Sequence, residues 1–173
     1  MRTALLLFTL ILACSCDREA DLYRTSKAFD LEALLRLETY GNIHTGSVFT
    51  KPYLILVYIT QLTCESCKIR ELRELRDVYA RHKGGIDFAL VSHGQSSRDF
   101  RLLRKVGYIP YPIFKEAVQG ELGLHSAAFS IMVIDLQRGE ICLEYLLTPD
   151  TDGQLAVFEE NFKKNISESD GSS

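Results

Sequence analysis

A chain of 173 residues, 46% apolar and 25% charged, has the composition of one globular domain, and at about 150 residues per domain it has no room for a second. Its formal charge of −3 comes from 20 basic and 23 acidic residues, which excludes a strongly basic nucleic-acid surface or a polybasic membrane patch. Electrostatics names no partner, and five cysteines remain to be allotted.

The first 16 residues read as a targeting segment. Arg2 gives a positive start, residues 4–13 are apolar apart from Thr9, and small residues and cysteines follow at once, as in an export signal. A membrane-spanning helix needs roughly 20 apolar residues, and this run is about half that. Its end, Ile11-Leu12-Ala13-Cys14, resembles a lipobox, which makes Cys14 the expected lipidation site and Cys16 the second candidate. An ordinary cleaved signal with two incidental cysteines is the alternative. Cys16 is followed by Asp17, which resembles an inner-membrane retention signal, whereas Cys14 is followed by Ser15. The expected location is therefore the bacterial cell envelope, as a periplasm-facing lipoprotein, with inner or outer membrane left open.

Residues 17–50 are expected to be a tether and N-terminal extension, polar to about residue 28 and then a short amphipathic helical stretch over 29–37. The run 53–59 is almost wholly apolar and rich in β-formers, which predicts a central strand covered on both faces. After a polar link at 60–63, Ile69, Leu72, Leu75, Val78 and Tyr79 recur at helical spacing and predict a helix over about 65–82. Gly84 and Gly85 end it, and 86–92 reads as a second strand parallel to the first, completing a β-α-β unit. A second helix is expected over 97–106, with Phe100, Leu103 and Val106 inward, stopped by Gly107 and Pro110. Residues 130–135 and 140–147 are strands joined by a connection short enough for an antiparallel hairpin. A last helix over about 152–164 buries Leu155, Phe158 and Phe162, and 166–173 is expected to be a disordered polar tail. The folded domain is thus expected over 51–165.

Chemistry enters at Cys64-Glu65-Ser66-Cys67, placed where a strand and a short link meet the first turn of a helix. Free backbone N–H groups and partial positive charge at a helix start favour thiolate over thiol, so Cys64 is the natural nucleophile. Cys67, three residues on, can attack the resulting mixed disulfide and release the reduced partner.

This arrangement resembles the thioredoxins, and especially the membrane-anchored TlpA/ResA-type thiol-disulfide oxidoreductases. The matching stretches are Leu54-Ile55-Leu56-Val57-Tyr58, the Cys64-Glu65-Ser66-Cys67-Lys68 segment, Gly107-Tyr108-Ile109-Pro110-Tyr111-Pro112-Ile113-Phe114, and Ile131-Met132-Val133-Ile134-Asp135. The resemblance spans roughly 51–164. It implies an α/β thioredoxin-like fold, a central mixed β-sheet flanked by helices, with protein thiols and disulfides as partners, a separate redox donor and no cofactor. Three departures stand out. Thr63 takes the place of the usual aromatic before the first cysteine, Tyr58 stands at the family's buried carboxylate, and Phe129 stands at the cis-proline that faces the cysteines. By this resemblance Ala128 and Phe129 form the loop facing the site, and a trans Ala128–Phe129 bond is expected because a non-proline cis bond costs roughly 3–4 kcal/mol. Glu71, one turn beyond Cys67, and Glu65 are the nearest carboxylates for proton transfer; a solvated helix face is the commoner fate of each.

The rival reading is a non-catalytic binding or scaffold lipoprotein in which a Cys64–Cys67 disulfide only staples the helix start. Zinc is not expected, since no second ligand pair joins the cysteines. A peroxidase-like site fits less well, because Gln61 stands where that pattern wants Thr or Ser. Cys142 reads as an inert core thiol. Tyr108, Tyr111 and Phe114 suit either a groove for an extended client or core packing.

Overall fold

The computed structural model describes residues 22–40, 49–60, 65–96, 98, 99, 101, 105, 109–118, 120–124, 129–147 and 154–170. Its elements are β1 (Leu22–Ala28), α1 (Leu31–Arg36), β2 (Glu38–Thr39), β3 (Tyr53–Ile59), α2 (Glu65–His82), β4 (Asp87–His93), β5 (Ile113–Glu116), β6 (Phe129–Asp135), β7 (Glu140–Leu147) and α3 (Gln154–Asp170). The strands form one mixed sheet in the order β1-β7-β6-β3-β4-β5-β2. As expected, β3 and β4 are parallel and β6 and β7 pair as an antiparallel hairpin.

The continuous apolar run of β3 places it at the centre, with a hydrophobic cluster on each face. Ile55, Val57 and Ile59 point to the side where Leu72, Leu75 and Val78 of α2 and Leu155, Phe158 and Phe162 of α3 pack. Leu54, Leu56 and Tyr58 point to the other side, against Leu34 and Leu37 around α1, Phe114, Met132 and Ile134. This two-sided burial is what a residue-by-residue apolar strand demands. At the end of α2 the backbone of Gly85 donates to His82, and Ile86 then enters the core beside β4.

Three expectations are corrected. Residues 22–28, expected to lie in the tether, form β1, and residues 38–39 form β2, so the fold begins well before residue 51, while α1 falls inside the short helical stretch read over 29–37. β1 pairs with β7 and β2 with β5, so this one segment closes both edges of the sheet. An edge strand has a neighbour on one side only and tolerates polar residues, so Tyr23-Arg24-Thr25-Ser26-Lys27 gave no apolar signal. Residues 166–170, expected to be disordered, continue α3 to Asp170. β5 was not foreseen, since Pro110 and Pro112 crowd its start and only four residues pair. Of the expected helix over 97–106, only Arg98, Asp99, Arg101 and Lys105 are described, all helical. Ser96 caps that helix, its Oγ accepting from the Asp99 N–H at 3.2 Å while Asp99 accepts from the Ser96 N–H at 3.0 Å.

α3 is held to α2 by one carboxylate. Arg81 Nη2 lies 2.6 Å from Glu159 Oε2, and His82 Nε2 and Lys163 Nζ lie 2.8 and 3.1 Å from Oε1. Arg81's hydrogen bond, with help from His82 and Lys163 and against the opposing effect of burial, holds the Glu159 carboxyl down to about 2. A carboxyl whose folded value is lowered adds stability above the unfolded value of about 4.3, and that stability is lost as pH falls toward 2. Because Arg81 and Lys163 are solvent-exposed, screening reduces the contribution to about 1–2 kcal/mol. Urea unfolding of Glu159→Gln should show a loss of that size at pH 7 and a clearly smaller one at pH 3.

Candidate active site

The C-terminal ends of β3, β4 and β5, the start of β6 and the end of β7 meet at one end of the sheet, as their pairing registers require. α2 starts at this end. Its first residue is Glu65, directly after Cys64, and Cys67 is its third. The link 61–64, which includes Cys64, lies outside the described residues, as do Ala128, Cys14 and Cys16. The nature of the Ala128–Phe129 bond therefore also falls outside them.

On the α2 side of the sheet this end is apolar with embedded polar groups. Phe129 heads β6 opposite Leu147 and is 2% exposed, its ring part of the cluster that includes Ile59 and Leu72. Glu71 departs from the solvated expectation: it is 7% exposed, and Arg70 Nε and Nη2 reach its Oε1 at 3.1 and 2.9 Å. The Tyr145 hydroxyl is pushed up to about 12 by burial first and by the Glu71 carboxylate second. Among the described residues, Tyr145 Oη and Ser92 Oγ make no hydrogen bond although both residues are fully buried.

On the opposite face, a buried carboxylate from another strand meets the tyrosine at position 58. Tyr58 is fully buried and its hydroxyl donates to Glu116 Oε2. Glu116, at the end of β5, is 1% exposed, and its Oε1 accepts from the Leu122 N–H at 3.2 Å. His93 Nδ1 lies 3.9 Å from Oε2 and 3.3 Å from the Glu116 carbonyl oxygen. Burial, reinforced by the Glu116 hydrogen bond and charge, drives the Tyr58 hydroxyl far up, so it stays a donor. Glu116 was not singled out in the sequence. Its one signal was position: it stands two residues after Phe114 and so shares that residue's inward face in β5.

Tyr111 and Phe114 are both buried, which decides for core packing over an open groove; Tyr108 lies outside the described residues. Cys142 is half-buried with Sγ 3.8 Å from the Glu140 carbonyl, and burial pushes its thiol up, away from the reactive thiolate.

The overall fold is similar to that of solved structures. An uncharacterised thioredoxin-like protein from Porphyromonas gingivalis is 20% identical, with a TM-score of 0.54 over 86% of this chain and 94% of that one. The fold is thioredoxin-like. A secreted Mycobacterium tuberculosis disulfide oxidoreductase homologous to Escherichia coli DsbE matches at 12% identity and a TM-score of 0.54, over 74% of this chain and 95% of that one. A thioredoxin-like protein solved in its oxidised form matches at 11% identity and a TM-score of 0.56, over 74% and 86% of the two chains. No protein-family model and no curated sequence matches the chain.

Proposed function

We propose that this chain is an exported, lipid-anchored thiol-disulfide oxidoreductase acting through Cys64 and Cys67 on protein disulfides. The observation that carries the reading is the position of the pair: in a thioredoxin-like fold, α2 begins at the residue after Cys64 and holds Cys67 in its first turn. The orphan N–H groups and partial positive charge of a helix start stabilise a thiolate.

In the reducing direction the Cys64 thiolate attacks a client disulfide, forming a mixed disulfide and releasing one client thiolate. Cys67 loses its proton and attacks the Cys64 sulfur, which expels the second client thiolate and leaves a Cys64–Cys67 disulfide. Two electrons pass to the client, and a protein dithiol must return them. The reverse sequence oxidises a client dithiol. Glu71, buried one turn beyond Cys67, is the acceptor we assign for the Cys67 proton.

A second reading, a scaffold whose cysteines only form a staple, draws support from Phe129. Its buried ring stands where the resemblance puts a proline that receives the client strand, which favours slow exchange on general substrates. One experiment separates the two. Cys67→Ser should accumulate mixed disulfides with a disulfide-bonded client such as insulin, visible as a reducible adduct through Cys64, while Cys64→Ser should accumulate none. Adducts through Cys67 in Cys64→Ser would reverse the roles, and no adduct in either variant would support the staple.

A further inference from the structure

The alternation of β7 turns Leu143, Tyr145 and Leu147 toward the layer formed by α2 and α3, and Tyr145 is fully buried there. The ring of Phe158 from α3 packs against it, with centroids 6.0 Å apart and planes at 52°. A buried tyrosine normally finds a partner for its hydroxyl, because an unmade hydrogen bond leaves the whole desolvation cost of the group standing. Among the described residues Tyr145 Oη has no such partner. Phenylalanine would fill the same space without that cost, so packing alone does not account for the hydroxyl.

The charge acting on that hydroxyl is the Glu71 carboxylate, which adds to burial in pushing it up to about 12 and so keeps it a donor. Glu71 stands in α2 one turn after Cys67 and one turn before Leu75, so helical spacing puts it beside the apolar face that packs on the sheet. It is 7% exposed, and both Arg70 contacts, at 3.1 and 2.9 Å, fall on Oε1. The Arg70 side chain is 43% exposed. An ion pair open to water on the arginine side is weak, and what strength it has depends on the negative charge of the carboxylate. Glu71 thus has a surface cation on its outer side and an unpaired buried donor on its inner side.

We infer that Tyr145 is a positioning residue for thiol-disulfide exchange: its hydroxyl is the inner dock of Glu71, which turns to Arg70 when charged and to Tyr145 when protonated. This rests on the reading of Glu71 as acceptor of the Cys67 proton. Cys67 first loses that proton to Glu71; its sulfur then attacks the Cys64 sulfur, and the client thiolate leaves with the electron pair of the bond that breaks. Neutral Glu71 no longer attracts Arg70. A rotamer change carries it inward, where the Tyr145 O–H donates to the carbonyl oxygen of the carboxyl. Docked there, the proton is withheld from the Cys67 sulfur while the new disulfide forms. Glu71 then releases it to water and returns to Arg70.

The test crosses Tyr145→Phe with Glu71→Gln in the full chain, since glutamine mimics the uncharged carboxyl and both changes are nearly isosteric. Urea unfolding at pH 7 reads the dock without any exchange. Against wild type, Tyr145→Phe should leave the urea midpoint unchanged or raise it, because the hydroxyl it removes is unpaired. Against Glu71→Gln it should lower the midpoint, because the glutamine carbonyl oxygen accepts from Tyr145. The same shift in both backgrounds overturns the dock. Resolution is read as the decay of the mixed disulfide between Cys64 and insulin, after quenching by acid and alkylation. Tyr145→Phe should slow that decay about five- to tenfold in wild type, the worth of one hydrogen bond, and leave it unaltered in Glu71→Gln. Equal slowing in both backgrounds marks a structural effect, and no slowing in either marks none; each overturns the role of Tyr145 while the exchange reading stands. A wild type that forms no mixed disulfide overturns the exchange reading and this inference together.

Discussion

Replacing Glu116 with alanine should lower the unfolding free energy by about 3–5 kcal/mol, the largest stability loss expected for any single polar side chain described. The substitution strands two buried donors, the Tyr58 hydroxyl and the Leu122 N–H, each of which costs about 1–3 kcal/mol when left unsatisfied. It also empties a fully enclosed side-chain volume. Against a total of about 5–15 kcal/mol, such a loss brings the domain near the edge of folding. Glu116→Gln tests the reason. Its amide oxygen can keep the Leu122 N–H while the tyrosine hydroxyl turns to accept from the amide nitrogen, so the cost should fall to about 1 kcal/mol. Urea denaturation of both variants gives the comparison; equal losses would show that the buried charge, and not the hydrogen bonds, holds β3, β5 and the turn at Leu122 together.

The largest functional effect belongs to Cys64. Cys64→Ser should bring catalysed insulin reduction down to the uncatalysed background, a fall of at least about 100-fold if the wild type is a competent exchanger, because a serine hydroxyl is no nucleophile toward disulfide sulfur under these conditions. The wild-type rate itself should be modest. Phe129 fills with an aromatic ring the start of β6, beside which an extended client would have to pair. Turbidity of insulin with dithiothreitol as electron source measures both rates. A Cys64→Ser variant that keeps the wild-type rate would move the chemistry away from this pair.

What the sequence revealed of the fold followed from how strongly each segment is forced to bury apolar surface. β3, with six consecutive buried residues, and α2, with Leu72, Leu75 and Val78 on one face, carry patterns that only one arrangement satisfies. β7 alternates buried and half-buried residues along its whole length, and its bounds were legible to the residue. β1 and β2 were not, because edge strands are stabilised by backbone pairing that leaves little trace in side-chain composition. The site divides in the same way. Two cysteines at a fixed spacing before a helical pattern announce themselves. The burial of Glu71 was not legible, since a charged residue on a helix is usually solvated, and Glu116 was not singled out at all, because only the tertiary fold brings the Tyr58 hydroxyl to its carboxylate. Tyr58 was legible as a departure from the thioredoxin pattern, but its hydrogen bond to a buried glutamate 58 residues further along the chain was not.

The central claim is electron transfer through the Cys64/Cys67 pair, and a single-turnover experiment tests it most directly. The reduced mature protein is mixed with one equivalent of a disulfide-bonded peptide, quenched by acid and alkylation at intervals, and mapped by mass spectrometry. The account predicts that a Cys64–Cys67 disulfide appears in step with one equivalent of reduced peptide, through a transient adduct at Cys64, while a protein with both cysteines replaced by serine leaves the peptide oxidised. A peptide that stays oxidised, or a disulfide that forms through Cys142 instead, would contradict it.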